Sequence, residues 1–288
     1  VIFQSTIPFY SPNIVFRKIC KDLKIPFVSW IHGGTGLTKS LSIYDVTDYR
    51  LSKNIISWGI YLKELFKDSA CILNQLNLQT DIKVLPVGSV RLDYKYKKYF
   101  LKKQNLKKSK PVLTYVAGSG QRKNQFFFGH NSKRTESLWL ADYNVLKLLQ
   151  KYQDRYEIIF KDYPLDLDSS PNLWKKVLKD INANNISYIS KQKNLYTLLN
   201  MSDLVILPYM NTAFFDALYF DADIFAWEED LLDKCLEEKF STEVFYFKNT
   251  QNFVSELEKY LIDGNFYKCD KKNSKNYFLQ LDYLGKRN

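Results

Sequence analysis

The stretch Pro111-Val112-Leu113-Thr114-Tyr115-Val116-Ala117-Gly118-Ser119-Gly120 decides the fold. A short apolar run entering a glycine turn reads as a buried strand that delivers the chain to a loop. The residues after it repeat the pattern. A long polar loop runs to Arg134, and helical periodicity from Thr135 to Tyr152 leads to the strand YEIIFKDYP. Helix 171–182, strand NISYIS, helix 195–201 and strand DLVILPY follow, then helix 212–220, strand ADIFAWEED, helix 231–240, strand EVFYF and helix 250–262. About six strands separated by helices predict a complete doubly wound α/β domain over 111–288.

N-terminal to Pro111 the same alternation is shorter. The strands VIFQ, PFVSW, NIISWG and DIKVLPVGS are separated by helical patterns at 13–23, 44–52 and 60–66. They predict a second, incomplete Rossmann-like domain over 1–93, with its first strands outside this sequence. The chain opens on Val1, directly on a strand pattern and without a basic signal-like start, so it reads as part of a longer protein. Between the two, residues 94–110 read as a Lys-rich linker.

That linker holds much of the charge. The 288 residues carry 42 Lys and Arg against 31 Asp and Glu, a net +11, and eight uncompensated lysines from Lys95 to Lys110 account for most of it. A single run of this kind is a solvated face or a segment attracted to an anionic membrane surface. Nucleic acid is not the expected partner, because few of the cations are Arg, the residue suited to bidentate contacts with bases and phosphates. The apolar runs are too short to span a bilayer, which takes roughly 20 residues. Cys20, Cys71, Cys235 and Cys269 are dispersed, with no C-x-x-C pair and only two histidines, so no structural zinc is expected and free thiols in a reducing cytoplasm fit best.

Four elements have residue types suited to chemistry. His32, in Trp30-Ile31-His32-Gly33-Gly34, follows the end of a strand, where open α/β sheets bind ligands, and an imidazole there suits a general base. The alternative is a histidine that braces the loop. The Gly118-Ser119-Gly120 turn, followed by Arg122 and Lys123, could cradle a phosphate on backbone amides or be a plain tight turn. Asn211 and Thr212 stand where a helix cap would be, with Asp216 one turn further on. Lys161 ends a strand and is a candidate partner for a phosphate. His130 and the aromatics 126–128 lie in the long loop after Gly120.

Trp30-x-His32-Gly33, the strand ending in Trp58-Gly59, and Pro86-x-Gly88-Ser89-x-Arg91-Leu92-Asp93 together resemble the GT-B-fold surface-polysaccharide glycosyltransferases and CDP-glycerol glycerophosphotransferases. The resemblance covers residues 30–93 and, more loosely, the second domain to Glu229. It implies two Rossmann-like domains facing across a cleft and His32 near the reacting hydroxyl, with Gly33, Gly34 and Arg91 on the acceptor side. It also implies a nucleotide donor at Gly118, Ser119, Gly120, Arg122, Lys161, Asn211, Thr212 and Asp216. Two positions depart from the family pattern: Asp216 stands where Glu is commoner, and Tyr163 replaces the histidine of K-x-H-P.

The activity so implied is transfer of a glycosyl or alditol-phosphate group from a nucleotide-sugar or CDP-alditol donor to a hydroxyl of a surface polysaccharide or lipid-linked glycan. Neither a resident cofactor nor a metal is called for, since neither domain shows a D-x-D strand end placed to hold a metal–diphosphate pair. A cytoplasmic protein peripheral to the inner membrane face is expected. A nucleotide-sugar epimerase of the same fold and a non-catalytic glycan-assembly subunit are the alternatives.

Overall fold

The computed structural model describes residues 2–4, 11–30, 54–60, 83–99, 108–117, 135–162, 170–190, 193–207, 212–227 and 243–272. The N-terminal unit contains β1 (Ile2–Gln4), α1 (Ser11–Asp22), β2 (Phe27–Trp30), β3 (Asn54–Ser57), β4 (Lys83–Pro86) and α2 (Val90–Tyr99). Its four strands lie side by side in chain order, and every pairing is parallel. Stepping always to the same side is what half of a doubly wound sheet does. Ile55 and Val84 are paired neighbours on the buried face of this sheet, whereas Leu85 on the other face is exposed.

Helix α1 ends where Lys24 turns into the left-handed region at φ 54° and Ile25 N–H returns to the Cys20 carbonyl. Among its described side chains Cys20 is buried, whereas Val15, Phe16 and Ile19 are exposed. The helix expected over 13–23 is therefore present with most of its apolar stripe uncovered. The expected helices over 44–52 and 60–66 lie outside the described residues. Residues 94–99 continue helix α2, although a linker was expected from 94 onward.

The C-terminal unit contains β5 (Val112–Val116), α3 (Thr135–Gln150), β6 (Glu157–Lys161), α4 (Ser170–Asp180), β7 (Ile186–Ile189) and α5 (Leu195–Met201). It continues through β8 (Leu204–Leu207), α6 (Thr212–Leu218), β9 (Asp223–Trp227), β10 (Phe245–Phe247) and α7 (Thr250–Asp263). Six parallel strands take the order β10-β9-β8-β5-β6-β7, which is the doubly wound pattern, with the direction of winding reversing between β5 and β8. Residues 112–116, 204–207 and 223–227 are buried throughout. Burial on both faces explains why these strands read as continuous apolar runs rather than alternations. The expected helix over 231–240 lies outside the described residues.

Local signals set the helix ends. The Asn194 side chain accepts from Tyr196 N–H at the start of α5, and Asn249 from Asn252 N–H at the start of α7. Gly264, at φ 71°, closes α7 through its N–H to the Tyr260 carbonyl. Beyond it the chain is tied to the sheet by buried Asp223, which accepts from Tyr260 Oη at 2.6 Å and from the N–H groups of Lys268 and Cys269. Lys271, also buried, donates to the Ala222 carbonyl at 2.9 Å. Cys20 and Cys269 are free thiols, buried and half-buried respectively.

Between α3 and the sheet lies a buried acid, Asp142, which accepts a hydrogen bond from Tyr115 Oη. Burial, with the Asp162 charge as a lesser contributor, outweighs the tyrosine bond and pushes its carboxyl up to about 7. The folded chain thus keeps a proton that the unfolded chain releases near pH 4. The stabilising contribution is complete below that pH and is lost as pH rises through about 7. Asp142→Asn, which still accepts from Tyr115, removes this dependence. Its melting temperature relative to the parent should climb by several degrees between pH 4.5 and pH 7.5, read by thermal denaturation; a constant difference would refute the assignment.

Candidate functional site

The two sheets meet through the elements that follow their strand ends. After β4 the chain turns at Gly88, φ 83°, a left-handed backbone that glycine adopts without strain. The buried Ser89 then starts α2, its carbonyl accepting from Asp93 N–H at 2.9 Å. The next residues face α5 and α6 of the other unit. Arg91 Nη2 donates to Asp216 Oδ1 at 2.9 Å and Nη1 to Tyr196 Oη at 2.7 Å, while Tyr196 Oη donates to the same Asp216 oxygen at 3.2 Å. Leu92 is buried in a core shared with Phe214, Phe215 and Leu218. Asp93 Oδ1 accepts from Tyr219 Oη at 3.3 Å. The three residues Arg91-Leu92-Asp93 therefore supply a cation, an apolar plug and an anion to one interdomain contact.

Aromatic rings frame it. Trp58, just past β3, meets Phe215 edge to face at 5.6 Å, and the Arg91 guanidinium carbon lies 5.8 Å from the centroid of the Trp58 ring. Tyr99 stacks on Tyr196 at 5.6 Å, Lys95 Nζ lies 5.2 Å from the Tyr196 ring, and Asn200 donates to the Tyr99 carbonyl at 3.0 Å. Helix α2 is thereby fastened along its length to α5.

Asp216 is the acid at the centre. Its side chain is 5% exposed, against 45% for Arg91. Burial pushes its carboxyl up to about 6, and the Arg91 charge, the bonds from Tyr196 and Arg91 and the Lys95 charge only partly offset this. Tyr196 and Tyr219 are held protonated well above the usual phenol range, first by burial and then by the adjacent Asp216 and Asp93 carboxylates. Near neutral pH a charge sits on Asp216 at a cost in stability, and strongly perturbed groups of this kind concentrate at functional sites.

The sequence candidates are distributed unevenly over this arrangement. Arg91 and Asp216, assigned by the resemblance to acceptor and donor sides, are bonded to each other. Thr212 opens α6, beyond the end of β8. Lys161 is buried, and its Nζ donates to the carbonyls of Asp162 and Ser190 at the ends of β6 and β7; burial lowers the pKa of its ammonium. Asp162 in turn accepts from Tyr188 Oη at 2.6 Å. His32, Gly33, Gly34, Gly118, Ser119, Gly120, Arg122 and Asn211 lie outside the described residues, as do His130 and 126–128. In sequence they follow the ends of β2, β5 and β8 at Trp30, Val116 and Leu207. Tyr196 and Tyr219 escaped sequence reasoning, because nothing local distinguishes a tyrosine that meets a carboxylate from one that fills a core. Among the described residues no three His, Cys, Asp or Glu side chains cluster as metal ligands would.

The clasp makes a pH-dependent forecast. Arg91→Met leaves Asp216 buried without its countercharge, so the variant should melt several degrees below the parent at pH 7.5. At pH 5, where Asp216 takes up a proton, most of that deficit should vanish. A deficit of equal size at both pH values would mean that Arg91 contributes packing alone.

No family model and no curated protein sequence matches the chain. Solved structures do match in fold. HepE of Anabaena in complex with UDP superposes with a TM-score of 0.55 at 12% identity, over 93% of this chain and 72% of that one. The α,α-trehalose 6-phosphate synthase of Burkholderia multivorans gives 0.59 at 9% identity, over 96% of this chain and 66% of the synthase. The UDP-GlcNAc 2-epimerase of Neisseria meningitidis bound to UDP-GlcNAc gives 0.58 at 15% identity, over 96% of this chain and 71% of the epimerase. This chain thus spans 66% to 72% of their lengths. At such identities the likeness is one of fold, and that fold is the GT-B arrangement of two parallel α/β units.

Proposed function

We propose that the chain is the core of a transferase that moves a glycosyl or alditol-phosphate group from a nucleotide-activated donor to a hydroxyl of a surface polysaccharide or lipid-linked glycan. The observation that carries this reading is topological. The winding of the second sheet reverses between β5 and β8, the place where open α/β sheets form a ligand crevice, and the α2 start after β4 faces that same edge. Two of the superposed proteins are complexes with UDP or UDP-GlcNAc.

In this reading the nucleotide lies across the ends of β5 and β8. Backbone N–H groups of 118–120 and the Arg122 guanidinium meet the charge that grows on the departing phosphate. The acceptor hydroxyl approaches from the first unit, its oxygen bonds to the transferred carbon or phosphorus, and His32 takes its proton as the donor bond breaks. Metal is not part of this scheme. No described helix is long and apolar enough to cross a membrane, and the Lys95–Lys110 segment is assigned to peripheral contact with an anionic lipid surface. The likeness to an epimerase favours a second reading, isomerisation of the nucleotide sugar itself, which incubation with donor alone separates by the appearance of an isomer.

Calorimetric titration with UDP, CDP, CMP and GDP should give heat for at least one nucleotide below millimolar concentration; silence from all four would remove the donor site. For the base, His32→Ala and His32→Asn should keep the parent melting temperature and nucleotide affinity while transfer slows by about 10²–10⁴-fold. An active but destabilised His32→Ala protein would reduce His32 to a loop brace.

A further inference from the structure

Arg91 reaches across the domain boundary to the one acid on α6, and the chemistry of that acid gives the contact a second meaning. Four observations converge on it. Asp216 Oδ1 already accepts from both Arg91 and Tyr196. The carboxylate belongs to the helix that follows β8, one of the two strands at which the winding reverses. The guanidinium is 45% exposed while the carboxylate is 5% exposed, so Arg91 can return to solvent at small cost and Asp216 cannot. The other interdomain contacts, Leu92 in the shared core, Trp58 on Phe215 and Tyr219 on Asp93, do not involve this carboxylate. Releasing Arg91 therefore leaves the two units attached.

We propose that Arg91 is an internal competitor of the donor: it and the vicinal hydroxyls of a ribonucleotide make the same demand on the Asp216 carboxylate, so donor binding exchanges the interdomain ion pair for a ribose contact. This rests on the donor reading above and adds a regulatory coupling to it. A diol offers two neutral O–H donors where Arg91 offers charge-assisted N–H donors, so the exchange costs affinity and the nucleotide binds more weakly than the bare pocket would allow. By linkage, the nucleotide loosens the Arg91 contact to the same degree that the contact weakens the nucleotide. Arg91 is on this account a positioning residue, setting how tightly a donor is held at Asp216.

The test is calorimetric titration of the full 288-residue chain with UDP and CDP and with their 2′-deoxy counterparts. It compares the parent, Arg91→Met and, in case that variant folds poorly, Arg91→Gln, which also removes the guanidinium charge but keeps a polar side chain. Freed of its competitor, Asp216 should bind the ribonucleotide at least about threefold more tightly, while the deoxynucleotide, lacking the diol, changes little. The ribo-to-deoxy preference therefore rises, a readout that a loss of general stability does not produce. Asp216→Asn should erase that preference. Binding of the ribonucleotide that is unchanged or weakened in both Arg91→Met and Arg91→Gln overturns the competition and leaves the donor reading standing. No binding of any nucleotide to parent or variants overturns both.

Discussion

A helix buried on almost every side must resolve the one charge it contains, and that requirement organises the boundary between the two units. Phe214, Phe215, Ala217 and Leu218 of α6 are all fully buried, as an all-round apolar helix must be. Each large side chain contributes on the order of 2 kcal/mol through burial. That gain holds α6 between the sheets and takes Asp216 with it into a place where a carboxylate is costly. Arg91 is the charged group that reaches it, and the backbone that presents Arg91 depends in turn on Gly88 adopting a positive φ and on Ser89 opening α2.

The same helix joins fold to site. Its start follows β8, next to β5, so the element that seals the two units together also borders the point where the winding of the second sheet reverses. Tyr196 and Tyr219, held protonated by burial and by the acids beside them, serve as neutral donors that ease the two carboxylates without adding charge. Elsewhere buried polar groups have structural duties. Asp223 anchors the segment after α7, Lys161 bridges two strand ends, and Asp142 rests against Tyr115.

The first unit differs in how well it is covered. Exposed Val15, Phe16, Ile19 and Leu23 on and just after α1, with Leu85 and Val87 at β4, contrast with the continuous burial of β5, β8 and β9. Its four described strands in simple chain order repeat one half of the pattern that the second sheet shows.

Legibility in the sequence followed the range of the interaction. Among the described residues, the strands at 2–4, 27–30, 54–57, 83–86 and through the second unit, and the helices 195–201 and 250–262, were readable, because apolar runs and helical period act over a few residues. That local grammar implied parallel sheets and two units, and the motif at Gly88 to Asp93 marked their junction. Only the tertiary structure joined Arg91 to Asp216, 125 residues away, and placed Tyr196 between them. Acids, arginines and tyrosines carry no local signal of which partner they will meet. Their pairing is decided by how the sheets dock, and docking is driven by non-directional apolar burial whose outcome no short stretch of sequence encodes.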